Sequence, residues 1–520
     1  MTLPYLTDDS IYYILQHLQN DRSTLFKCLL VNRFWCRSTI PLLYANPFEN
    51  MTEKNYSITL TLFYCFNKVE ILQLKNQPGL SQINNINFDK EHNPLFEYLK
   101  YLENYNSYLI NSVIYGWFAK YCSDLLSYQK IYSDIIPIFH QSILRQSRNI
   151  KQLDILLYLL YKESFKHFNF QNFSSNLTKL NSLSLNFYSN GIVNKAVEQE
   201  FLRNIANICT NSRKLIIKLP RIRRPPFQHH NTSNNLINTT STLQKLCTII
   251  QVQNKLKMFM IRNCNSLLNN VLLSLEFQKH SLVHVVFTSC DFSNISLKSF
   301  NDLYNLEYLK FMFCKGILLY QCEGLNFSSF KLKELSFIRN YWNDNVTSLM
   351  LNYLGTSLQR LSIEKLIENI SMYCPNLIVL KICFYFHIDL SVMQLFKSLR
   401  TRILSIIISH NIDNFFINLA INIPINIRKI SIYIYPRISN KFLKFKEFLE
   451  NCHNSFEMIY LNQIIGLESL KIVLSYIERS NNRLKVFGMK LDKELNDEEL
   501  KLLNRIKTKG VEIVEFSEFN

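Results

Sequence analysis

Glycine is scarce in this chain, nine residues in 520, and the folds whose chemistry depends on bare backbone are excluded with it. There is no Gly-rich loop that could cradle nucleotide phosphates, no Gly-x-Ser-x-Gly elbow and no His-Glu-x-x-His helix, so no catalytic constellation emerges and no enzyme is expected. Thirteen cysteines are present, yet none forms a Cys-x-x-Cys pair and the count is odd. That excludes a disulfide framework and a zinc pattern, so no metal or cofactor is expected and a reducing compartment is. No run of about 18 apolar residues occurs, and the N-terminus lacks a basic start followed by an apolar core. Neither membrane crossing nor secretion is expected, which leaves the cytoplasm, the nucleus or both. Acidic residues are also short, 40 against 58 Lys plus Arg, for a formal charge of +18. Such a balance favours acidic partners or nucleic acid through counterion release. The lysines are scattered, however, and the expectation is a solvated basic surface with nucleic acid disfavoured. What is abundant is apolar residues, 48% of the chain, enough for a large core.

The first 48 residues read as a small helical module. Thr7-Asp8-Asp9 caps an amphipathic helix carrying Ile11, Ile14, Leu15 and Leu18 at three- and four-residue spacing. A second helix starts at the polar cluster Asp21 to Ser23 and carries Leu25, Cys28, Leu29 and Val31, ending in Asn32-Arg33-Phe34-Trp35. Leu3-Pro4, then Ile14-Leu15 and Leu18, then Val31-Asn32-Arg33-Phe34-Trp35 resemble the F-box motif: Leu-Pro, a hydrophobic helix and a closing Val-x-Arg-x-Trp. Asn32 departs from the Cys or Ser commoner in that family. Leu42-Leu43-Tyr44-Ala45-Asn46-Pro47-Phe48 is similar to fungal members with repeats behind the F-box. The resemblance implies docking onto a Skp-type adaptor, and through it a cullin, in an SCF ubiquitin ligase. Carried over by position, Leu3, Pro4, Ile14, Leu15, Leu18, Val31 and Trp35 would meet the adaptor or support the surface that does.

The second half carries a repeat. The pattern L-x-x-L-x-L, with aliphatic or aromatic substitutes, begins clearly at Leu256, Phe259 and Ile261 and recurs from Leu282, Leu306, Leu332, Leu358 and Leu377. It continues from Ile403, Ile427, Phe456 and Leu484 to Val511-x-x-Val514-x-Phe516. Most steps fall in the leucine-rich-repeat range, roughly 20 to 29 residues. The step from Leu358 to Leu377 is shorter, and that unit is expected to lack a helix. Weaker matches at Leu153-x-x-Leu156-x-Tyr158 and Leu180-x-x-Leu183-x-Leu185 extend the array upstream, with a further unit near Leu215-Ile216-Ile217. Cys264, Cys290, Cys314, Asn340 and Asn411 occupy one recurring slot, where the side chain is expected to bond backbone of the next coil.

The expected fold class is α/β: an N-terminal three-helix F-box over 1–48, a helical linker region over 49–150 and a leucine-rich-repeat solenoid, a horseshoe, over 151–520. Pro220 to Thr242, with Arg221, Arg223, Arg224, Pro225, Pro226, His229 and His230, reads as a loop insertion. Its arginines are candidates for gripping an acidic or phosphorylated segment. Near the C-terminus, Asn496 and Glu499 fit a capping box, Leu500, Leu503 and Ile506 are expected to face inward, and Gly510 suits the helix end.

Within each repeat the residues between the inward-pointing apolar pair line the concave face. From them Met258, Met260, Arg262, His284, Tyr308, Lys310 and Arg360 are the candidate target-binding residues. The functional expectation is a substrate-recognition subunit of an SCF-type E3 ubiquitin ligase, with an unknown protein substrate on the repeats. The alternative is a leucine-rich-repeat protein-interaction scaffold without ligase association.

Overall fold

The computed structural model describes residues 7–49, 58–77, 94–121, 128–166, 168–187, 195–221, 233–265, 268–328, 330–365, 368–385, 390–409, 414–435, 441–464, 466–490 and 495–516. The chain divides into two compact units, Met1–Asn263 and Cys264–Asn520.

The first unit opens with three helices, α1 (Asp8–His17), α2 (Arg22–Cys28) and α3 (Arg33–Ala45). Each start is set by a side chain within three residues. The Ser10 N–H donates to Thr7 Oγ1 at 3.3 Å, and Thr24 N–H donates to Asp21 Oδ1 at 3.0 Å. Asn32 Oδ1 accepts from the N–H groups of Phe34 and Trp35 at 2.9 and 3.0 Å, so the residue that departs from the F-box pattern is the cap of the third helix. Ile11, Leu15, Leu25, Cys28 and Leu43 form the core of the three helices, with Leu18, Leu29, Phe34, Trp35, Leu42 and Tyr44 packed against it.

Behind this module lie the helices Ile58–Tyr64, Lys68–Lys75, Ser107–Tyr121 and Ile136–Gln146. The described residues between 49 and 150 are mostly helical, and they also include a strand that the sequence did not reveal. This strand, β1 (Asn104–Asn106), pairs in parallel with β2 (Gln152–Leu156). The parallel order continues through β3 (Ser182–Asn186), β4 (Lys214–Lys218) and β5 (Met258–Arg262). Arg221 lies just before the undescribed stretch, and Arg223, Arg224, Pro225, Pro226, His229 and His230 lie outside the described residues. The loop expected up to Thr242 is shorter than that. A helix spans Ser233–Gln251 and buries Leu243, Leu246, Ile249 and Ile250.

The second unit contains ten parallel strands among its described residues: β6 (His284–Thr288), β7 (Tyr308–Met312), β8 (Glu334–Ile338), β9 (Arg360–Ile363), β10 (Val379–Phe384), β11 (Ile403–Ile408), β12 (Lys429–Ile434), β13 (Met458–Ile464), β14 (Val486–Lys490) and β15 (Glu512–Glu515). Each of β6 to β14 is followed by helical or turn backbone before the next strand, the arrangement of a parallel repeat protein. The short unit between Leu358 and Leu377 keeps one helical turn, Ile370–Tyr373.

The strand registers correct three of the repeat assignments. Leu153 pairs with Leu183, so that coil runs Ile150-x-x-Leu153-x-Ile155, three residues upstream of the expected position. Leu404 lies between Leu380 and Ile430, so that coil begins at Thr401 instead of Ile403. Thr401 fills the buried leucine position because its hydroxyl donates to the Ile378 carbonyl at 2.6 Å. Phe487 pairs with Ile513, which places Gly510, not Val511, at the head of the last coil.

The recurring Cys/Asn slot also differs in direction. The Cys314 N–H donates to Asn340 Oδ1 at 2.9 Å and Asn340 Nδ2 donates to the Phe311 carbonyl at 3.1 Å, both in the preceding coil. Cys264, Cys290 and Cys314 are buried, and Asn411 lies outside the described residues. The capping box forms as expected: Glu499 N–H donates to Asn496 Oδ1 at 2.9 Å and Asn496 N–H to Glu499 Oε2 at 3.0 Å. Glu499 is itself buried because its other oxygen accepts the Leu467 N–H at 3.0 Å. Its neighbour Leu500 is consequently turned outward, against expectation, while Ile506 is buried.

Candidate partner-binding surfaces

The N-terminal helices complete a core and still leave large apolar side chains outside it. On α1, Ile11 and Leu15 face inward while Tyr12, Tyr13 and Ile14 are exposed. On α2 and the turn after it, Phe26, Leu30 and Val31 are exposed, Leu30 by 87% and Val31 by 58%. Six such side chains within twenty residues exceed the singly scattered apolar residues of an ordinary surface.

The expected adaptor residues therefore separate by role. Ile14 and Val31 are exposed, Leu15 is wholly buried, and Leu18 and Trp35 are half-buried against the core. Leu3 and Pro4 lie outside the described residues. Tyr12, Tyr13, Phe26 and Leu30 were missed. Helical periodicity marks which residues share a face, but the third helix decides which of two neighbouring apolar faces is covered.

In the first unit, Met258, Met260 and Arg262 alternate with buried Phe259 and Ile261 on the open face of β5 and are half-buried there. They lie beside Lys214, Ile216 and Lys218 of β4, so this part of the face is basic and apolar.

In the second unit, His284 and Arg360 are exposed, while Tyr308 and Lys310 are half-buried. The rings of His284 and Tyr308 approach to 5.4 Å between centroids. Burial, with the Glu334 carboxylate nearby, pushes the Tyr308 phenol up to about 12. Glu334 also faces Arg360 across 3.8 Å, a loose pair on an open surface that is worth little. Burial first, and then the Lys381 ammonium, holds Lys310 below the usual ammonium range against the opposing pull of Glu334.

Registers place the middle residues of successive strands in one row: Val286, Lys310, Ser336, Ser362, Lys381, Ser405, Ser431, Tyr460 and Gly488. The ring of Tyr460 lies over Gly488, where a Cβ would sit 2.2 Å from it. Lys381 was readable as the middle residue of Leu380-x-Ile382 and belongs with the expected set.

No protein-family model matches this chain, and no curated protein matches it. Solved structures similar to it include the TLR13–ssRNA13 complex, at 13% identity and a TM-score of 0.34, covering 72% of this chain and 48% of that one. Another is the complex of Rad7 and Elc1 in yeast, at 13% identity and a TM-score of 0.33, covering 78% of this chain and 94% of that one. The chain spans about half the length of the first of these. Likeness at this level fixes neither a fold nor a partner.

Proposed function

We propose that this chain is a non-catalytic substrate receptor of an SCF-type ubiquitin ligase, whose N-terminal helices dock a Skp-type adaptor and whose repeats hold a target protein. The observation that carries the reading is the set Tyr12, Tyr13, Ile14, Phe26, Leu30 and Val31, exposed on helices whose own core is already filled. Burying side chains of this size stabilises a complex by roughly 1.5–3 kcal/mol each before the entropy of association is subtracted. The described residues of the F-box-like motif, Ile14, Leu15, Leu18, Val31 and Trp35, lie in these three helices or at their ends, and Asn32 serves there as a helix cap without disturbing the fold. Holding the target beside an adaptor-linked conjugating enzyme would supply catalysis by proximity, with no chemistry required of this chain.

A pull-down against a Skp-type adaptor tests it, comparing the intact chain with Leu30→Asp and Val31→Asp. Both side chains point to solvent, so the variants should fold normally by circular dichroism and lose adaptor capture. An intact, folded chain that captures no adaptor would sink the ligase reading.

A further inference from the structure

The open face of β10, β11 and β12 turns aromatic at the C-terminal ends of the strands. Ile382, Ile406 and Ile432, and then Phe384, Ile408 and Ile434, are buried in the core. The residues between and just after them therefore stand on the open face. Phe384, Ile408 and Ile434 share one register. The Ser409 N–H donates to the Phe384 carbonyl at 3.1 Å and the Tyr435 N–H to the Ile408 carbonyl at 2.9 Å, which carries that register one residue further. Tyr385, Ser409 and Tyr435 thus form a row across three strands, two rings with one small residue between them.

The next row is Cys383, Ile407 and Tyr433. Cys383 and Ile407 are only 1% and 7% exposed, so they close that side as packed apolar surface, and Ser409 is left as the low point between the rings. Both walls of this notch are braced. The Arg339 guanidinium lies 4.0 Å from the centre of the Tyr385 ring and 5.5 Å from that of Phe313. On the other side the rings of Tyr433 and Tyr435 meet edge to face at 5.4 Å, and Phe516, just beyond β15, lies 6.0 Å from Tyr433. Tyr435 is exposed, and Tyr385 and Tyr433 are half-buried, so aromatic surface remains open to a ligand.

Tyr385 and Tyr435 are two strand spacings apart, roughly 9.6 Å at the backbone. A polyproline II helix advances about 9.3 Å per three-residue turn, so the prolines of a Pro-x-x-Pro segment laid across the strands meet the two rings in step. On a sheet face the ladder offers such a segment no backbone partner. Polyproline II needs none, since its backbone has no internal hydrogen bonds and stays solvated, and it is already extended before binding. Its pyrrolidine rings pack against aromatic faces, and phenol O–H groups donate to its carbonyls. Arg339 is stacked on Tyr385, and the two rows hold no Lys or Arg that could track a phosphate backbone, which disfavours nucleic acid here. We propose that Tyr385, Ser409, Tyr433 and Tyr435 form a docking site for a proline-rich segment of a partner protein, bound as a polyproline II helix across β10 to β12. This rests on the reading of the repeats as the part that holds a target.

The full chain is titrated by fluorescence anisotropy with a labelled Pro-x-x-Pro peptide library, degenerate at x and at the flanks, and with the same library carrying Ala at both prolines. Binding should require the prolines, and unlabelled decaproline should compete. Tyr385→Ala and Tyr435→Ala should each weaken binding by about tenfold or more. Tyr320→Ala, exposed on the helical turn Leu319–Cys322, should leave it unchanged. Ser409→Leu fills the notch while both walls stay, and should abolish binding. Tyr385→Phe and Tyr435→Phe keep the rings, so if an Ala variant misfolds, a proline requirement retained in the Phe variants together with loss in Ser409→Leu still supports the site. No binding of either library, equal binding of the Ala library, no competition by decaproline, or full affinity in both Ala variants or in Ser409→Leu would overturn it. So would tyrosine-dependent capture of oligouridine in preference to the proline library. The titration uses no adaptor, so its failure is distinct from failure of the ligase reading.

Discussion

Lowering the pH from 7 to 5 should weaken the first unit through one side chain, His140. It is wholly buried in the helix Ile136–Gln146, between the Tyr105 hydroxyl, 2.7 Å from Nδ1, and Asn111 Oδ1, 2.6 Å from Nε2. An amide oxygen only accepts, so Nε2 carries the proton and donates, and Nδ1 accepts from Tyr105. Protonating Nδ1 would break that bond and bury a charge with no anion beside it. Burial accordingly drives the imidazole down to about 3. The unfolded chain takes up a proton near the ordinary value of about 6.5. Between those two values the unfolded state binds more protons than the native one, so stability is complete above pH 6.5 and is lost as pH falls toward 3. Integrated from pH 7 to 5, the loss is about 2 kcal/mol. Urea unfolding followed by Trp117 fluorescence, with Trp35 and Trp342 replaced by Phe, reads this unit. Trp117 is buried against Phe63 and Phe118 at 5.5 and 4.9 Å between ring centroids. His453, whose imidazole burial also holds below its ordinary range, belongs to the second unit and is not what this reporter senses. His140→Gln should start less stable yet lose most of the pH dependence. Equal shifts in the two proteins between pH 7 and 5 would refute the reasoning.

Local chemistry was legible in the sequence and long-range chemistry was not. Thr7, Asp21 and the Asn496–Glu499 pair could be read because a cap acts within three residues of its own position. The repeat from Leu256 onward was legible because buried and exposed positions alternate cleanly, as along Met258–Arg262 and Tyr308–Met312. Ile403–Ile408 gave no such contrast. It is aliphatic at five of six positions, and a slip of two residues keeps every side chain on its own face. What fixes its register is the bond from Thr401 to Ile378, which only the folded neighbour reveals. The last coil slipped by one because β15 has a single described neighbour and its residues are half-buried or exposed, so burial barely marks its inward face. The strand Asn104–Asn106 was invisible for a related reason: two asparagines around one buried tyrosine carry no strand pattern, and pairing with β2 supplies the order. On the helix Ser233–Gln251 the polar Ser/Asn/Thr start hid a helix that is held by the apolar residues of its second half. The candidate surfaces divide in the same way. The open-face positions followed from alternation, whereas the row that runs from Lys310 through Ser336 and Ser362 to Lys381 depends on the strand registers of the folded sheet.

Asn340→Ala should cost about 2 kcal/mol in a thermal or urea melt, since it strands the buried Cys314 N–H and removes the bond to Phe311. Gly488→Ala should destabilise by roughly 1–3 kcal/mol, because its Cβ would sit 2.2 Å from the Tyr460 ring. The double variant with Tyr460→Ser should recover most of that loss, and a double variant no better than the single would remove the ring as the cause. The largest expected effect comes from Arg145→Met. Arg145 Nε and Nη2 donate to the two oxygens of Glu70, each at 2.9 Å, and the Asn67 N–H donates to Oε2 at the same distance. Glu70 is 1% exposed. Removing the guanidinium leaves this carboxylate buried with one backbone donor, a loss of roughly 3–5 kcal/mol. Glu70→Gln in the same background removes the stranded charge while keeping an acceptor for the cap, so the pair should unfold later than Arg145→Met alone. If Arg145→Met were neutral, the pair would be an exposed contact with no hold on the helix Lys68–Lys75.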